Sequence, residues 1–483
     1  MRKCRFLAIV LLASTAAPLS AETLREALVK AYQTNPTITG ARAGQRATDE
    51  NVPLARSRGL PAAGATANFS EFVENSNAGI GSPSRQLSVG VQLSVPIYSG
   101  GSVLNAIRAA ETRVDAGQGI LRDTEASVFS QVVSAYMNVI SNSAIVSLNE
   151  KQVGVLRVNL EATRDRFQIG DLTRTDVAQS ESRLALARGQ LENAQANLIT
   201  SKENYIQLVG SAPGMLEPPP PLPNLPGSPD MAVTVALDGN PALFAAEKRR
   251  EAATFDTRAA RGARLPQLSA VASGNYSDFL GSIRGAGIPG VAIAQTSRSA
   301  TVGLQATIPI FQGGRLGAQV RQSQAFESQA IEQLTATERN IVAQTRSAYA
   351  SWRASNQLIV SFEAAVSAAT LSLEGVRAES TVGTRTILDI LNAEQELLNA
   401  QVNLVTARRN AYVAGFSLLA AMGKAGVTDL GLDGGVLYDP NVNYRRVRRS
   451  INDWASDPTP AAVATRTVDT PAQTPALIGP RVN

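Results

Sequence analysis

From residue 87 to residue 98, apolar and polar positions alternate: Leu87, Val89, Val91, Leu93, Val95 and Ile97 against Ser88, Gly90, Gln92, Ser94, Pro96 and Tyr98. A period of two sends the two sets to opposite faces of a strand. The rhythm returns near residue 300, with Ala300, Val302, Leu304, Ala306, Ile308 and Ile310 set against Thr301, Gly303, Gln305, Thr307 and Pro309. Weaker partner strands precede each run, so two β-hairpins are expected at about 64–99 and 267–312. Ten alternating residues suit a membrane barrel with lipid outside and water inside. They suit a half-buried strand of a soluble sheet equally well.

Helical spacing takes over after each hairpin. Residues 102–167 contain no proline and place Phe129, Val132, Tyr136, Val139, Val146, Val153 and Leu160 on one stripe. At ~1.5 Å per residue that is a helix of roughly 100 Å. The break Gly170-Asp171-Leu172-Thr173 precedes a return helix with Val177, Leu184, Leu191, Leu198 and Tyr205 at seven-residue intervals. Its counterpart carries Ile390, Leu397, Leu404, Ala411 and Leu418, each followed three residues on by Ala393, Ala400, Ala407, Ala414 or Ala421. A seam of large and small knobs lets helices approach closely, and its heptad period implies a left-handed supercoil.

These echoes describe a tandem duplication. GVQLSVPIYSGG at 90–101 and GLQATIPIFQGG at 303–314 are 213 residues apart, as are Tyr136 and Tyr349, Gly170 and Gly383, and Asp176 and Asp389. Upstream the offset is 205, carrying Asn35-Pro36 to Asn240-Pro241, so the second copy gains about eight residues between Pro266 and Pro309. The expected plan is a first repeat at 22–210 with a long helical hairpin at about 102–210, and a proline-rich linker at 211–230. A second repeat follows at 231–423 with its helical hairpin at about 314–423, then a C-terminal segment, 424–483, read as largely disordered.

Arg2, Lys3 and Arg5 precede a short apolar run and a small-residue site near Ala21, so residues 1–21 read as a secretory signal peptide. The one cysteine, Cys4, lies within it, leaving no lipid-anchoring thiol in the mature chain. No later run reaches 18 uninterrupted apolar residues, which argues against a membrane helix. The chain has no histidine, which removes His-based triads and His metal sites, and no phosphate-binding P-loop. A net charge of +5 spread over 483 residues gives no basic patch for nucleic acid. No enzyme, metal or cofactor is expected. A secreted hydrolase using paired carboxylates finds no pocket-forming α/β pattern, whereas a periplasmic coiled-coil spacer remains a coherent alternative.

Four strands cannot close a barrel, and open edges are not tolerated in lipid. Membrane-embedded strands therefore require oligomerisation, and three copies would supply twelve strands. Pro96 and Pro309 would end the ladders. Gly100-Gly101 and Gly313-Gly314 would supply the backbone angles for the swing from strand to helix.

The twin P-I-[YF]-x-G-G junctions, with FQIGDLTRTDV and TVGTRTILDIL at the helical breaks, resemble the TolC family of outer-membrane export channels over nearly the whole mature chain. The resemblance implies a mainly α fold with a small β part: long antiparallel coiled-coil hairpins forming a periplasmic tunnel, below a trimeric twelve-stranded barrel in the outer membrane. It implies a homotrimer that exports proteins or small molecules with a periplasmic adaptor and an inner-membrane ABC or RND-type transporter. The helical breaks become the periplasmic mouth. Asp389 matches an acidic ring that constricts it, while the second ring position is Asn392 here. By family position Asp176 pairs with Arg385 as a gating link, and Ser380 replaces the family's gating tyrosine. Gly170, Leu172 and Thr173, with Gly383, Arg385 and Thr386, lie where adaptor tips pack. Asp176 and Asp389 also suit helix N-termini with no lumen role, and the turn residues suit plain turn chemistry.

Overall fold

The computed structural model describes residues 21–74, 82–223, 225–283, 293–432 and 437–476. The leader, Cys4 and both hairpin tips, including part of the eight-residue gain, lie outside them. Each repeat opens with short helices: α1 (Leu24–Thr34), α2 (Pro36–Asp49) and α3 (Asn51–Ser57) in the first, α6 (Pro229–Gly239) and α7 (Pro241–Gly262) in the second. Strands β1 (Ala62–Glu71) and β2 (Arg85–Tyr98) lead into α4 (Ser102–Gln168) and α5 (Arg174–Val209). Strands β3 (Gln267–Asp278) and β4 (Thr296–Thr307) lead into α8 (Arg315–Thr381) and α9 (Ile387–Ala421), and α10 (Asn441–Val447) follows.

The Asn-Pro echo has a structural reason. Asn35 caps α2 by accepting from the Thr37 N–H at 2.9 Å, and its amide donates to the Leu208 carbonyl at 2.9 Å. Asn240 does the same for α7, accepting from the Ala242 N–H and donating to the Ala421 carbonyl, each at 2.9 Å. One side chain thus starts a short helix and ties it to the end of the returning long one, with proline at the first helical position where no N–H is needed. The tyrosines of the repeated SAY motif bolt down the linker: Tyr136 donates to the Glu217 carbonyl at 2.6 Å and Tyr349 to the Gly227 carbonyl at 2.8 Å. The main core surrounds Tyr136, with Phe129, Val132, Val133, Leu198 and Tyr205 all fully buried.

The four strands form one antiparallel sheet in the order β1-β2-β3-β4. Its alternating apolar row is open to the outside of the single chain: Val302 is 88% and Leu304 70% exposed, and Val89, Val91 and Leu93 are also exposed. Pro309 lies just past the end of β4 at Thr307. Pro96 instead lies inside β2, opposite Ser269, and the register shifts between Pro96 and Tyr98. Pairing with β1 has already ended at Ala62–Ser94, so only β3 still runs alongside and a residue without an N–H is tolerated there.

All four junction glycines take left-handed angles, with φ of 62° and 77° at Gly100 and Gly101 and 59° and 82° at Gly313 and Gly314. Gly100 also meets the end of α7, where a β-carbon would overlap the Gly262 carbonyl oxygen; the second junction has open space around it.

Helix α8 contains a stretch long and apolar enough to cross a bilayer by composition, and most of that stretch is exposed on the single chain. The tail also departs from expectation. Tyr438 donates its N–H to the Tyr32 hydroxyl at 3.0 Å, Asn443 bonds Asp49 at 2.8 Å, and the Arg42 guanidinium lies over the rings of Tyr32 and Tyr438. The described residues beyond α10 have no regular structure, yet they are fastened to the helices as far as residue 476, because their backbone groups find side-chain partners on α5.

Candidate functional site: the helical hairpin tips

The two tips are built alike. Gly170 and Gly383 turn the chain with φ of 83° and 81°. Thr173 and Thr386 then cap the return helices, each paired with the acid three residues on. Asp176 Oδ2 accepts from the Thr173 N–H at 2.9 Å and hydroxyl at 2.7 Å, and Asp389 Oδ2 from the Thr386 N–H at 2.9 Å and hydroxyl at 2.8 Å. Donors aimed at a carboxylate favour its charged form, so both pKa values fall below the usual range. For Asp176 the larger cause is the Thr173 hydroxyl; for Asp389 it is the Thr386 N–H, with a further lowering from Arg385. Helix capping therefore accounts for both acids within one chain.

Arg385 does not reach Asp176 in the single chain. Its Nε donates to Glu379 Oε2 at 2.7 Å, within its own hairpin. Leu172 and Val382 lie at the tips, the latter 75% exposed. Asn392 accepts from the Arg183 guanidinium at 2.6 Å, which joins α9 to α5.

The contacts joining the hairpins lie above the tips. Leu391 is buried among Leu156, Leu160, Leu184 and Ala187, bringing α4, α5 and α9 together. One turn on, Glu394 is 3% exposed, and its Oε1 accepts from Asn159 of α4 at 2.9 Å and Arg377 of α8 at 3.1 Å. Sequence reasoning missed Asn159, Arg183, Arg377 and Glu394. A signal was present: Ile387, Leu391, Glu394 and Leu398 follow helical spacing, so a carboxylate in that stripe has to find donors. Among the described residues, no group of three or more His, Cys, Asp or Glu is placed to hold a metal.

The family model for outer membrane efflux proteins matches residues 27–211 and 232–424, one match per repeat. The chain is 34% identical to the outer membrane efflux protein BepC of Brucella suis over 432 residues, covering 88% of this chain and 91% of that protein. It is 29% identical to the outer membrane protein TolC of Escherichia coli, with 85% and 84% covered. In three dimensions it is similar to the CmeC outer membrane channel of Campylobacter jejuni, with a TM-score of 0.74 at 16% identity, covering 94% of this chain and 98% of that one. Paired strand hairpins, paired helical hairpins and two family matches in the same order lead to one conclusion: the chain belongs to the outer membrane efflux protein family, the TolC-type channels of the outer membrane.

Proposed function

We propose that three copies of this chain form a gated duct that carries cargo from an inner-membrane ABC or RND-type transporter, through a periplasmic adaptor, across the outer membrane. The observation that carries this reading is the sheet: its apolar row is exposed, and β1 and β4 are both unpaired edges. A sheet of that kind is stable in lipid only when neighbours complete it. An envelope spacer has no use for such a surface.

Below the sheet, α4 and α8 are each 67 residues long, about 100 Å at ~1.5 Å per residue. The tips then face the periplasm. Three Asp389 carboxylates around the threefold axis would focus negative potential on the passage, while Asn392 adds no charge there. In the assembled mouth Arg385 would exchange Glu379 for Asp176 as the gating link. The exposed turns, Gly170 to Thr173 and Gly383 to Thr386, are the surface offered to the adaptor.

Planar-bilayer recording of the purified oligomer tests this. A small cation-selective conductance that loses selectivity in Asp389→Asn supports duct and ring together. Unchanged selectivity removes the ring, and a folded preparation without channels removes the duct. Arg385→Ser should raise conductance if the link closes the mouth.

A further inference from the structure

Lys202 stands in the apolar stripe of α5, between Leu198 and Tyr205, and is 2% exposed. An ammonium withdrawn from water needs oxygen partners. Its Nζ donates to the backbone carbonyls of Thr474 at 2.8 Å and Ala476 at 2.7 Å, more than 270 residues further along the chain. The next residue completes the pattern: Glu203 Oε1 accepts from the Gln473 N–H at 3.0 Å. Neighbouring side chains of opposite charge thus read carbonyls and an amide of one extended segment, with Pro471 and Pro475 holding it open.

The contact continues towards the end of α5. A β-carbon on Gly210 would collide with the Thr465 hydroxyl and press on that of Thr34, so the tail, α1 and the end of α5 meet at this glycine. A cavity of about 360 Å³ lies between them, lined by Thr34, Glu203, Gln207, Gly210, Thr465 and Thr470.

We propose that this face of α5 is a docking groove for an extended peptide, read through its backbone, and that residues 465–476 of the same chain occupy it as a releasable strap. The occupant is the chain's own tail because Lys202 would otherwise be an isolated charge in an apolar stripe. The segment itself, TRTVDTPAQTPA, offers little apolar surface. Backbone contacts and tethering therefore hold it: the joined segment stays at high effective concentration, whereas the same peptide supplied separately has to bind from solution. Burial lowers the pKa of Lys202, in keeping with a charge held by neutral carbonyls alone.

The test uses the full chain in its assembled form. With Cys4 replaced by serine, a nitroxide on a cysteine at Val468, which is 77% exposed, reports tail motion. A slow signal is expected in the parent, with a correlation time at least about threefold shorter in Lys202→Met and in Gln473→Pro. The second change removes one tail N–H and leaves the bundle untouched, so it stands even if the first variant folds poorly. A fluorescent peptide of residues 465–476 should bind the Gln473→Pro chain and fail to bind the chain carrying both changes. Fast tail motion in the parent, equal motion in parent and Gln473→Pro, or no peptide binding to the released chain would each overturn the proposal.

Discussion

Gly119 of α4 and Ala245 of α7 are close enough that a β-carbon on the glycine would stand 3.1 Å from the alanine Cβ. This contact joins the first repeat's long helix to the second repeat's short one. Long helices start 213 residues apart (315 − 102) and short ones 205 apart (241 − 36), so the pseudo-equivalent positions are Glu332 and Gly40. Gly40 has nothing near it and Glu332 is exposed in the single chain. The equivalent contact is therefore expected between neighbouring protomers. The double variant Gly40→Cys with Glu332→Cys, oxidised, should run as a covalent trimer on a non-reducing gel, since Cβ atoms at about 4 Å suit a disulfide. Monomers alone would refute the pseudo-symmetric packing.

The two strand-to-helix joints should differ in tolerance. Gly313→Ala meets only the left-handed backbone penalty, about 1–2 kcal/mol. Gly100→Ala adds overlap with the Gly262 carbonyl. A larger fall in thermal midpoint for Gly100→Ala is expected, and equal falls would contradict the close approach.

Removing the Glu394 carboxylate strands the Asn159 amide between the hairpins. Glu394→Ala should cost about 1–3 kcal/mol, while Glu394→Gln keeps an acceptor and should cost less. Hydrogen exchange over residues 156–163 checks this, with faster exchange expected in the alanine variant.

Burial pushes the Glu125 carboxyl up to about 7, against the lowering by Arg42 and Arg122. A carboxyl whose folded pKa is raised contributes stability below its unfolded pKa of about 4.5, and that contribution is lost as pH rises through about 7. Glu125→Gln cannot ionise. It should gain on the parent between pH 5 and pH 8 by up to about 3 kcal/mol in denaturation experiments.

The turn acids carry the opposite sign. Asp176 and Asp389 have depressed pKa values, so their stabilisation is present above the ordinary carboxylate range and lost as pH falls through the lower folded values. Protection of the Thr173 and Thr386 amides, relative to the free-peptide exchange rate at each pH, should persist as pH falls through the ordinary carboxylate range and be lost only below it. Thr386→Ala should bring that loss of protection to higher pH at its own tip alone.

Much of this architecture was legible because its signals are periodic and written twice. Alternation located the strands, heptads the return helices, and paired glycines the joints. What stayed hidden depends on partners distant in sequence. Pro96 is tolerated inside β2 because the pairing with β1 ends at Ala62 opposite Ser94, a fact of register invisible in β2 itself. Near the tip the buried stripe runs through Leu391, Glu394 and Leu398, one residue off the expected Ile390 and Leu397 positions. A helix of 3.6 residues per turn drifts against a strict heptad, so a seam read from one part of it misplaces another. In the single chain Arg385, in the turn, pairs with Glu379 at the end of α8, whereas the family-implied partner Asp176 belongs to the other hairpin. The tail's composition predicted no regular structure, but carried no sign of Lys202 waiting on α5.

The two unpaired sheet edges have a genetic consequence. In the proposed trimer no chain can retain its strands in lipid alone, so each depends on the soundness of its neighbours. If half of the subunits in a cell carry a defective edge and mix at random, only about one ring in eight is wholly sound. A damaged allele of such a protein would then be dominant over the intact one, and most strongly so for lesions in β1 and β4.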